Sequence, residues 1–260
     1  MVHKNKDTTV LITGGTSGIG FALAKKFIRE GCRVILVASR RKRLERAKKM
    51  LGGISQSAGV EIICQDLSLE EAAGRVYQEV ARKHLSVDIL VNNAGFGMTG
   101  EAVANDVSRE EAMLRLNIQT VTQLCELYLR EMYQRGSGKI LNVASVGAFM
   151  PGPYTASYYA SKAYVGSYSR AVRYEAARKG VQVCTLYPGT TRTEFFGRAG
   201  AKTPFWAMKP DKVAQIAYDG LMKNREMIIP GVVNRLLRLV PVKIKLFAVA
   251  ALKKAPTQQF

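Results

Sequence analysis

The stretch "TVLITGGTSGIGFALAKKF" at residues 9–27 decides the fold of this chain. Its first five residues are an apolar, β-branched run, which predicts a buried strand over 9–13. A glycine-rich loop at 13–20 follows directly, and residues 21–30 have the apolar spacing of a helix. A strand that runs through a glycine loop into a helix is typical of a parallel α/β sheet.

The same alternation continues along the chain. We predict further strands at 33–38, 60–64, 88–93, 139–145, 181–187 and 226–231, and further helices at 43–51, 70–83, about 108–134 and about 157–179. The strands are continuous apolar runs, as expected when helices cover both faces of a sheet. The sequence therefore predicts one α/β domain over 1–260, a doubly wound parallel sheet in three layers, which is a Rossmann fold.

The composition excludes several classes of protein. With 260 residues, 47% of them hydrophobic, the chain can bury one core and is too apolar to be disordered. Two histidines give little basis for a metal site or a histidine triad, so we predict no metal. We find no uncharged apolar run of membrane-spanning length, and the first residues are polar, so we expect neither a transmembrane helix nor a signal peptide.

The spacing of the cysteines indicates a reducing cellular compartment. They form no C-x-x-C pair, and three of them fall in or beside predicted strands. We therefore predict buried free thiols in a reducing, cytoplasmic environment. The four residues are Cys32, Cys64, Cys125 and Cys184.

The net charge of +19 suggests an anionic ligand, an anionic membrane surface or nucleic acid. We find no alternating aromatic and basic residues and no known binding motif, so we do not expect nucleic acid. Residues 227–260 contain six basic and no acidic side chains, with leucine and valine between them and a break at Pro241. Residues 232–260 thus form a basic amphipathic tail. Peripheral contact with an anionic membrane, a subunit interface and a cover over the core all stay open for this tail.

The glycine loop after the first strand predicts a phosphate site. Gly14 permits the tight turn, and Gly18 and Gly20 let an anion approach the backbone at the start of the helix. The spacing is G-x-x-x-G-x-G, and Thr16, Ser17 and Ile19 complete the predicted contacts.

The end of the second strand predicts which dinucleotide binds. A carboxylate at this point would bind a ribose 2′-hydroxyl, whereas an arginine accommodates a 2′-phosphate. This chain has Ser39 and Arg40 there and no carboxylate. A charge-assisted hydrogen bond from Arg40 to the 2′-phosphate would contribute about 1.5–3 kcal/mol to cofactor binding. We therefore predict NADP(H) as cofactor.

The stretch "YYASK" at 158–162 predicts a reactive tyrosine. Tyr158 and Tyr159 precede Lys162 by four and three residues, so either ring can share a helix face with the lysine. Hydride transfer to a carbonyl leaves negative charge on oxygen, and a phenol beside an ammonium can supply the proton. We expect the ammonium and the charge of the nicotinamide to lower the pKa of this tyrosine.

Three more motifs each follow a predicted strand: "CQDLS" at 64–68, "NNAG" at 92–95 and "NVAS" at 142–145. Together with the glycine loop and "YYASK", they resemble the short-chain dehydrogenase/reductase family over nearly all of 8–193. The resemblance implies that Tyr158 is the general acid/base and that Tyr159 packs beside it. It also implies catalytic roles for Asn117, Ser145 and Lys162.

The resemblance further implies the remaining cofactor contacts, which are Asp66, Leu67, Asn93, Ala94, Gly95, Pro188, Gly189, Thr191 and Thr193, besides Tyr158 and Lys162. Many family members that prefer NADP carry a basic residue where this chain has Ser17, so the NADP(H) prediction depends mainly on Arg40. Family members commonly pair as homodimers or homotetramers through the helices predicted near 108–134 and 157–179.

Two segments rich in large apolar residues, 146–155 and 194–208, predict the substrate wall. Their large side chains are Phe149, Met150, Tyr154, Phe195, Phe196, Phe205, Trp206 and Met208. A small lipophilic carbonyl or alcohol, such as a steroid, a 3-oxoacyl chain or a long-chain ketone, would suit this wall, and packing within the fold stays an alternative. The second segment lacks periodicity and suits a lid. An NADP(H)-dependent oxidoreductase is therefore expected; the alternative is a non-catalytic dinucleotide-binding regulatory or membrane-surface protein.

Overall fold

A computed structural model describes residues 8–55, 58–194, 204 and 206–253 of the chain. Within them lies one sheet of seven parallel strands in the order β3-β2-β1-β4-β5-β6-β7. The strands are β1 Thr9–Thr13, β2 Arg33–Ala38, β3 Val60–Cys64, β4 Ile89–Asn92, β5 Gly138–Val143, β6 Val181–Leu186 and β7 Met227–Ile228. Because all strands are parallel, their carboxyl ends share one edge, where ligands bind in such sheets.

Helices cover both faces of the sheet. They are α1 Gly18–Arg29, α2 Arg41–Gly52, α3 Ala72–Arg82, α4 Val107–Leu114, α5 Thr120–Arg135, α6 Ala156–Ala177, α7 Pro210–Met222, α8 Val232–Leu236 and α9 Val242–Lys253. A π-helical turn at Arg115–Gln119 joins α4 to α5, and a 3-10 turn at Val146–Phe149 follows β5.

Two apolar cores lie on the two faces of the sheet. On one face, residues of α1, α2 and α7 pack against alternate residues of β1, such as Val10 and Ile12. On the other face, α3, α5 and α6 pack against Leu11 of the same strand and Ile35 of β2. This three-layer arrangement confirms the predicted doubly wound α/β fold.

Several predicted boundaries differ from the structure. Helix α1 begins at Gly18, inside the glycine loop and three residues before the predicted start. The prediction missed this start because the first turn lacks the apolar periodicity by which a helix is identified. The predicted last strand, 226–231, is only Met227–Ile228, because it lies at the sheet edge and Pro230 cannot donate to a ladder. Helix α7 was not predicted, although Pro210 at its first position is a typical start signal.

One cysteine prediction is wrong. Cys32, Cys125 and Cys184 are buried, but Cys64 is exposed. It is the last residue of β3, which is the edge strand of the sheet. No helix among the described residues is both long and apolar enough to cross a bilayer.

A buried polar network joins the elements that carry the site. The Asn142 side chain of β5 accepts a hydrogen bond from Asn92 Nδ2 of β4 (2.9 Å) and donates to Ser169 Oγ of α6 (2.9 Å). Cys125 of α5 also donates to Asn142 Oδ1 (3.5 Å). The Asn142 side chain therefore links two strands and two helices.

Replacing Asn142 with alanine should lower the free energy of unfolding by about 2–3 kcal/mol, because buried partners on three elements lose a hydrogen bond. Urea denaturation followed by circular dichroism measures this loss. As a control, Asn105→Ala, which removes one 3.5 Å hydrogen bond to Glu110, should change stability by less than ~0.5 kcal/mol. Equal losses in the two variants would contradict the role of the network.

Candidate active site

The glycine loop brings the backbone of β1 and α1 close to the end of β4. Gly14 has a positive φ of 65°, and its N–H donates to the Val37 carbonyl (2.8 Å). A Cβ added to Gly20 would lie 2.4 Å from Asn93 Nδ2, so a side chain cannot be accommodated there. Glycine at position 20 is therefore required for the loop to pack against Asn93 at the end of β4.

Asn93 holds this loop in place. Its Nδ2 donates to the carbonyls of Thr13 (2.9 Å) and Gly14 (3.2 Å). In return, Thr13 Oγ1 accepts hydrogen bonds from the N–H groups of Asn93 and Ala94, both at 2.9 Å. The amide of the Asn93 side chain thus stabilises the loop through hydrogen bonds to its backbone. Thr13, which the sequence analysis did not single out, is its partner.

The N-terminus of α1 fits a phosphate group. Its N-cap residue, Ser17, makes no side-chain capping bond, and the first turn contains no acidic residue. The helix dipole and the N–H groups of this turn therefore favour an anion. Thr16, Ser17, Gly18 and Ile19 are all half-buried along the loop. Thr193 lies against Gly18, 3.0 Å from where a Cβ would stand.

The end of β2 presents one unpaired arginine. Arg41 pairs with Glu45 (2.9 Å) and Arg43 pairs with Glu194 (2.7 Å), as expected for the solvated start of a helix. Arg40 is the N-cap of α2, and its exposed guanidinium has no partner among the described residues. With the exposed Ser39 beside it, Arg40 is available for an anion.

The segment after β3 places two of the predicted cofactor residues. Asp66 is exposed, and its Oδ1 accepts hydrogen bonds from the N–H (2.9 Å) and Oγ (2.7 Å) of Ser68. Leu67 is buried, and its carbonyl accepts a hydrogen bond from Thr120 Oγ1 at the start of α5 (2.7 Å). The carboxylate thus faces solvent at the edge where β1, β2 and β3 end.

Ser145 and Tyr158 meet beyond the end of β5. Ser145 is the N-cap of the 3-10 turn, and its Oγ accepts a hydrogen bond from Gly147 N–H (3.1 Å). Burial raises the pKa of the Tyr158 phenol, and a hydrogen bond with Ser145 partly opposes this rise. The lowering of this pKa that the sequence predicts depends on the charge of the nicotinamide as well as on Lys162, so it stays a prediction for the cofactor-bound protein.

Tyr159 has a different environment from Tyr158. Its ring covers Gly152, where an added Cβ would lie 2.3 Å from a ring atom, and it also contacts Gly147. The rings of Tyr158 and Tyr159 meet edge to face at 6.0 Å. Tyr159 therefore packs over the two glycines of the neighbouring loop, while Tyr158 faces Ser145.

Lys162 brings a charge into the same site. Its side chain is only 5% exposed, and its Nζ donates to the Val143 carbonyl at the end of β5 (2.9 Å). The Nζ lies 5.9 Å from the centre of the Tyr158 ring. Burial lowers the pKa of Lys162 to about 8, so the ammonium form still predominates at neutral pH.

Asn117 lies in the π turn and is fully buried. Its Nδ2 donates to the Phe96 carbonyl (3.0 Å) and to Ser161 Oγ (3.1 Å). Its Oδ1 has no hydrogen-bond partner among the described residues. A Cβ on Gly95 would lie 2.9 Å from Asn117 Oδ1 and 3.3 Å from Lys162 Nζ, so the glycine lets these two groups share one space.

The loop after β6 is tied to the Ser145 turn. The Pro188 carbonyl accepts a hydrogen bond from Val146 N–H (3.1 Å), and Thr191 Oγ1 donates to the Gly189 carbonyl (3.0 Å). Gly189 lies against Asn234 of α8, with 2.3 Å between an added Cβ and Asn234 Nδ2. Asn234 is a second residue that the sequence analysis missed, because its contact spans 45 residues.

The predicted lid and substrate wall can be described only in part. Residues 195–203 and 205, which include Phe195, Phe196 and Phe205, lie outside the described residues. The base of the segment is fixed: Met208 N–H donates to the Thr190 carbonyl (2.9 Å), and Arg192 N–H donates to the Met208 carbonyl (2.9 Å).

Phe149 packs within the fold, which was the alternative to a substrate contact. Its ring stacks on Tyr187 with 4.7 Å between the ring centres. Both rings border a cavity of about 700 Å³ against the outer face of α6, and none of the four predicted catalytic side chains lines that cavity. Among the described residues, no cluster of three or more His, Cys, Asp or Glu side chains could hold a metal ion.

Comparison with known proteins identifies a family and solved structures that are similar to this chain. The profile of the family described as short chain dehydrogenase matches residues 8–203. A short-chain dehydrogenase from Sphingobium yanoikuyae, solved in complex with NADPH, is 30% identical, with a TM-score of 0.82 over 97% of this chain and 98% of its own.

Two further relatives have named activities. A bulky-bulky ketone specific alcohol dehydrogenase from Comamonas testosteroni is 25% identical, with a TM-score of 0.80 over 98% of each chain. The 7beta-hydroxysteroid dehydrogenase of Clostridium sardiniense is 31% identical over 230 residues, which is 86% of each chain. The glycine loop, the buried lysine and the family match lead to one conclusion: the chain belongs to the short-chain dehydrogenase/reductase family and is an oxidoreductase acting on CH–OH or C=O groups.

Proposed function

We propose that this protein is an NADP(H)-dependent oxidoreductase that interconverts a lipophilic ketone and its alcohol, with Tyr158 as general acid/base. One observation carries the proposal: Asn117, Ser145, Tyr158 and Lys162 converge beside the glycine loop, at the edge where parallel strands end. A protein that only bound a dinucleotide would not need all four side chains. The non-catalytic alternative is therefore the weaker one.

Different residues of the proposed cofactor site would bind different parts of the dinucleotide. The N-terminus of α1, with Gly14, Gly18 and Gly20, would hold the pyrophosphate, and Arg40 with Ser39 would hold a 2′-phosphate. Asp66, Leu67, Ala94 and Gly95 would border the adenosine, and Pro188, Gly189 and Thr191 the nicotinamide. NADP(H), when bound, supplies or accepts the hydride. NADPH in the similar Sphingobium structure supports this choice of cofactor.

The proton is moved by the chain's own residues. Because burial raises the pKa of Tyr158, the phenol stays protonated at neutral pH and can donate to a carbonyl oxygen as negative charge develops there. Ser145 Oγ would donate a hydrogen bond to the same oxygen. The Lys162 ammonium stabilises the phenolate left behind and would also bind the nicotinamide ribose. Asn117 Oδ1 offers an acceptor beside Lys162.

A lipophilic substrate is supported by the exposed Trp206 at the base of the 194–208 segment and by Met150 and Tyr154 after the Ser145 turn. The named activities of the Comamonas and Clostridium relatives, a bulky ketone and a hydroxysteroid, point to the same class. The lid role of 194–208 and assembly into a homodimer or homotetramer remain part of this proposal.

We propose, as a second feature, that the tail rests on an anionic membrane surface of the cytoplasm. Eight large apolar side chains of α8, α9 and the turn between them are exposed: Val232, Val233, Leu236, Leu239, Val242, Ile244, Phe247 and Leu252. The tail contains no acidic residue, and two such tails facing each other would bring like charges together. An anionic lipid surface is therefore a better partner than a second copy.

Tyr158→Phe should lower kcat for ketone reduction by about 10²–10⁴ and leave the Kd of NADPH unchanged, because only the proton donor is removed. Tyr159→Phe is the matched control and should keep its activity, since it retains the packing ring. Steady-state kinetics and a fluorescence titration of NADPH measure the two quantities. Loss of turnover in Tyr159→Phe alone would overturn the assignment.

Arg40→Ala should raise the Kd of NADPH by about 10- to 100-fold and leave that of NADH unchanged, because only NADPH carries a 2′-phosphate. Lys42→Ala, two residues further along α2, should change either Kd by less than ~threefold, since an exposed charge away from the ligand contributes little. Equal weakening of both cofactors by Arg40→Ala would refute the proposed phosphate contact.

Binding to vesicles tests the tail. The double variant Leu239→Ser/Phe247→Ser should bind vesicles of phosphatidylglycerol and phosphatidylcholine at least ~tenfold more weakly in a sedimentation assay, because it removes two side chains that are 79% and 74% exposed. Val103→Ser, at an apolar residue 93% exposed elsewhere, is the control and should bind like the wild type. Unchanged binding of the double variant would exclude the membrane contact.

A further inference from the structure

The inner side of the C-terminal tail is polar where a packed helix is usually apolar. In α9, Lys245 is only 5% exposed, whereas its neighbours Ile244 and Phe247 face solvent. No acidic residue occurs from 227 to 260, so no carboxylate of the tail can neutralise this charge. A buried ammonium costs free energy unless it is hydrogen-bonded, so its partner indicates what it does.

That partner belongs to the Ser145 turn. Lys245 Nζ donates to the Phe149 carbonyl at 2.8 Å, a contact between residues 96 positions apart. Phe149 is the last residue of the 3-10 turn, and carbonyls at the end of a helical turn favour a cation. The other end of the same four-residue turn is capped by Ser145, whose Oγ accepts from Gly147 N–H.

Two more contacts join the tail to this region. The Arg238 guanidinium lies 5.9 Å from the centre of the Phe149 ring, whose other neighbour is Tyr187. Asn234, held by its own bond to the Pro230 carbonyl (2.6 Å), lies against Gly189. The turn and the loop are themselves joined by the bond from Val146 N–H to the Pro188 carbonyl.

We propose that Lys245 is a positioning residue for the reaction: by holding the Phe149 carbonyl, it fixes the turn that aims Ser145 at the substrate oxygen. The rate consequence rests on the proposed role of Ser145, but the contact and its effect on the turn do not. Through Lys245 and Asn234 the tail contacts the turn after Ser145 and the loop at Gly189, and the tail residues up to 253 make no hydrogen bond to the glycine loop or to Arg40. Loss of the Lys245 contact, which involves only the Phe149 carbonyl, should therefore impair turnover and spare the binding of NADPH.

The test compares Lys245→Met with Lys243→Met. Lys243 is exposed two residues earlier in the same helix and serves as the matched control. Hydrogen exchange reports on the turn through the N–H groups of Ala148 and Met150, which donate to the carbonyls of Ser145 and Gly147. We expect these amides to exchange about tenfold faster in Lys245→Met than in the control, with no change around 14–20.

Kinetics provide the second readout. In Lys245→Met, kcat for ketone reduction should fall about tenfold while the Kd of NADPH stays within twofold of wild type. Equal exchange at residues 146–150 in the two lysine variants, or a parallel loss of NADPH affinity, would overturn the proposal. If wild type reduces no ketone, the proposed function fails, and the exchange result alone still decides whether Lys245 holds the turn.

A variant that unfolds would lose protection around 14–20 as well. In that case Lys245→Gln, which removes the ammonium and shortens the side chain but keeps a polar group in the buried position, takes its place. Faster exchange confined to 146–150 would support positioning by the tail. Protection as in the wild type would count against it.

Discussion

The burial of the Lys162 ammonium is the constraint on which the rest of the site depends. A charged group that is 5% exposed must find polar partners, and here a strand-end carbonyl, that of Val143, accepts its hydrogen bond. Room for the ammonium exists because Gly95 has no side chain and because the π turn carries Asn117 into the interior. Burial also lowers the pKa of Lys162, yet to about 8, so the charge survives at neutral pH beside the phenol that needs it.

The positive charge of the chain is used in two different ways. At the start of α2, Arg41 and Arg43 pair with carboxylates, and Arg40 is left exposed at the point where a 2′-phosphate would lie. In the tail, Lys245 turns inward and holds a loop of the active site, while the apolar side chains face outward.

The tail is connected to segments that lie far earlier in the chain. Its contacts reach the turn after Ser145 and the loop at Gly189. A surface bound by the outer face of the tail would therefore lie next to the turn that begins at Ser145, so the two proposed roles of the tail would share the same short helices.

The sequence by itself determined the parallel α/β fold, the glycine loop and the residues around "YYASK", because strand periodicity, glycine spacing and i,i+4 neighbours are local properties. It could not show that Cys64 is exposed, that β7 has only two residues or that a π turn interrupts the long helix, since these depend on what packs against each segment. Nor could it find the roles of Thr13, Asn234 and Lys245, whose partners lie 45 or more residues away. Only the tertiary structure decided that Tyr159 packs over glycine, that burial raises the pKa of Tyr158 and that a lysine of the tail bonds to the turn after Ser145, because desolvation and long-range contacts arise when the layers close.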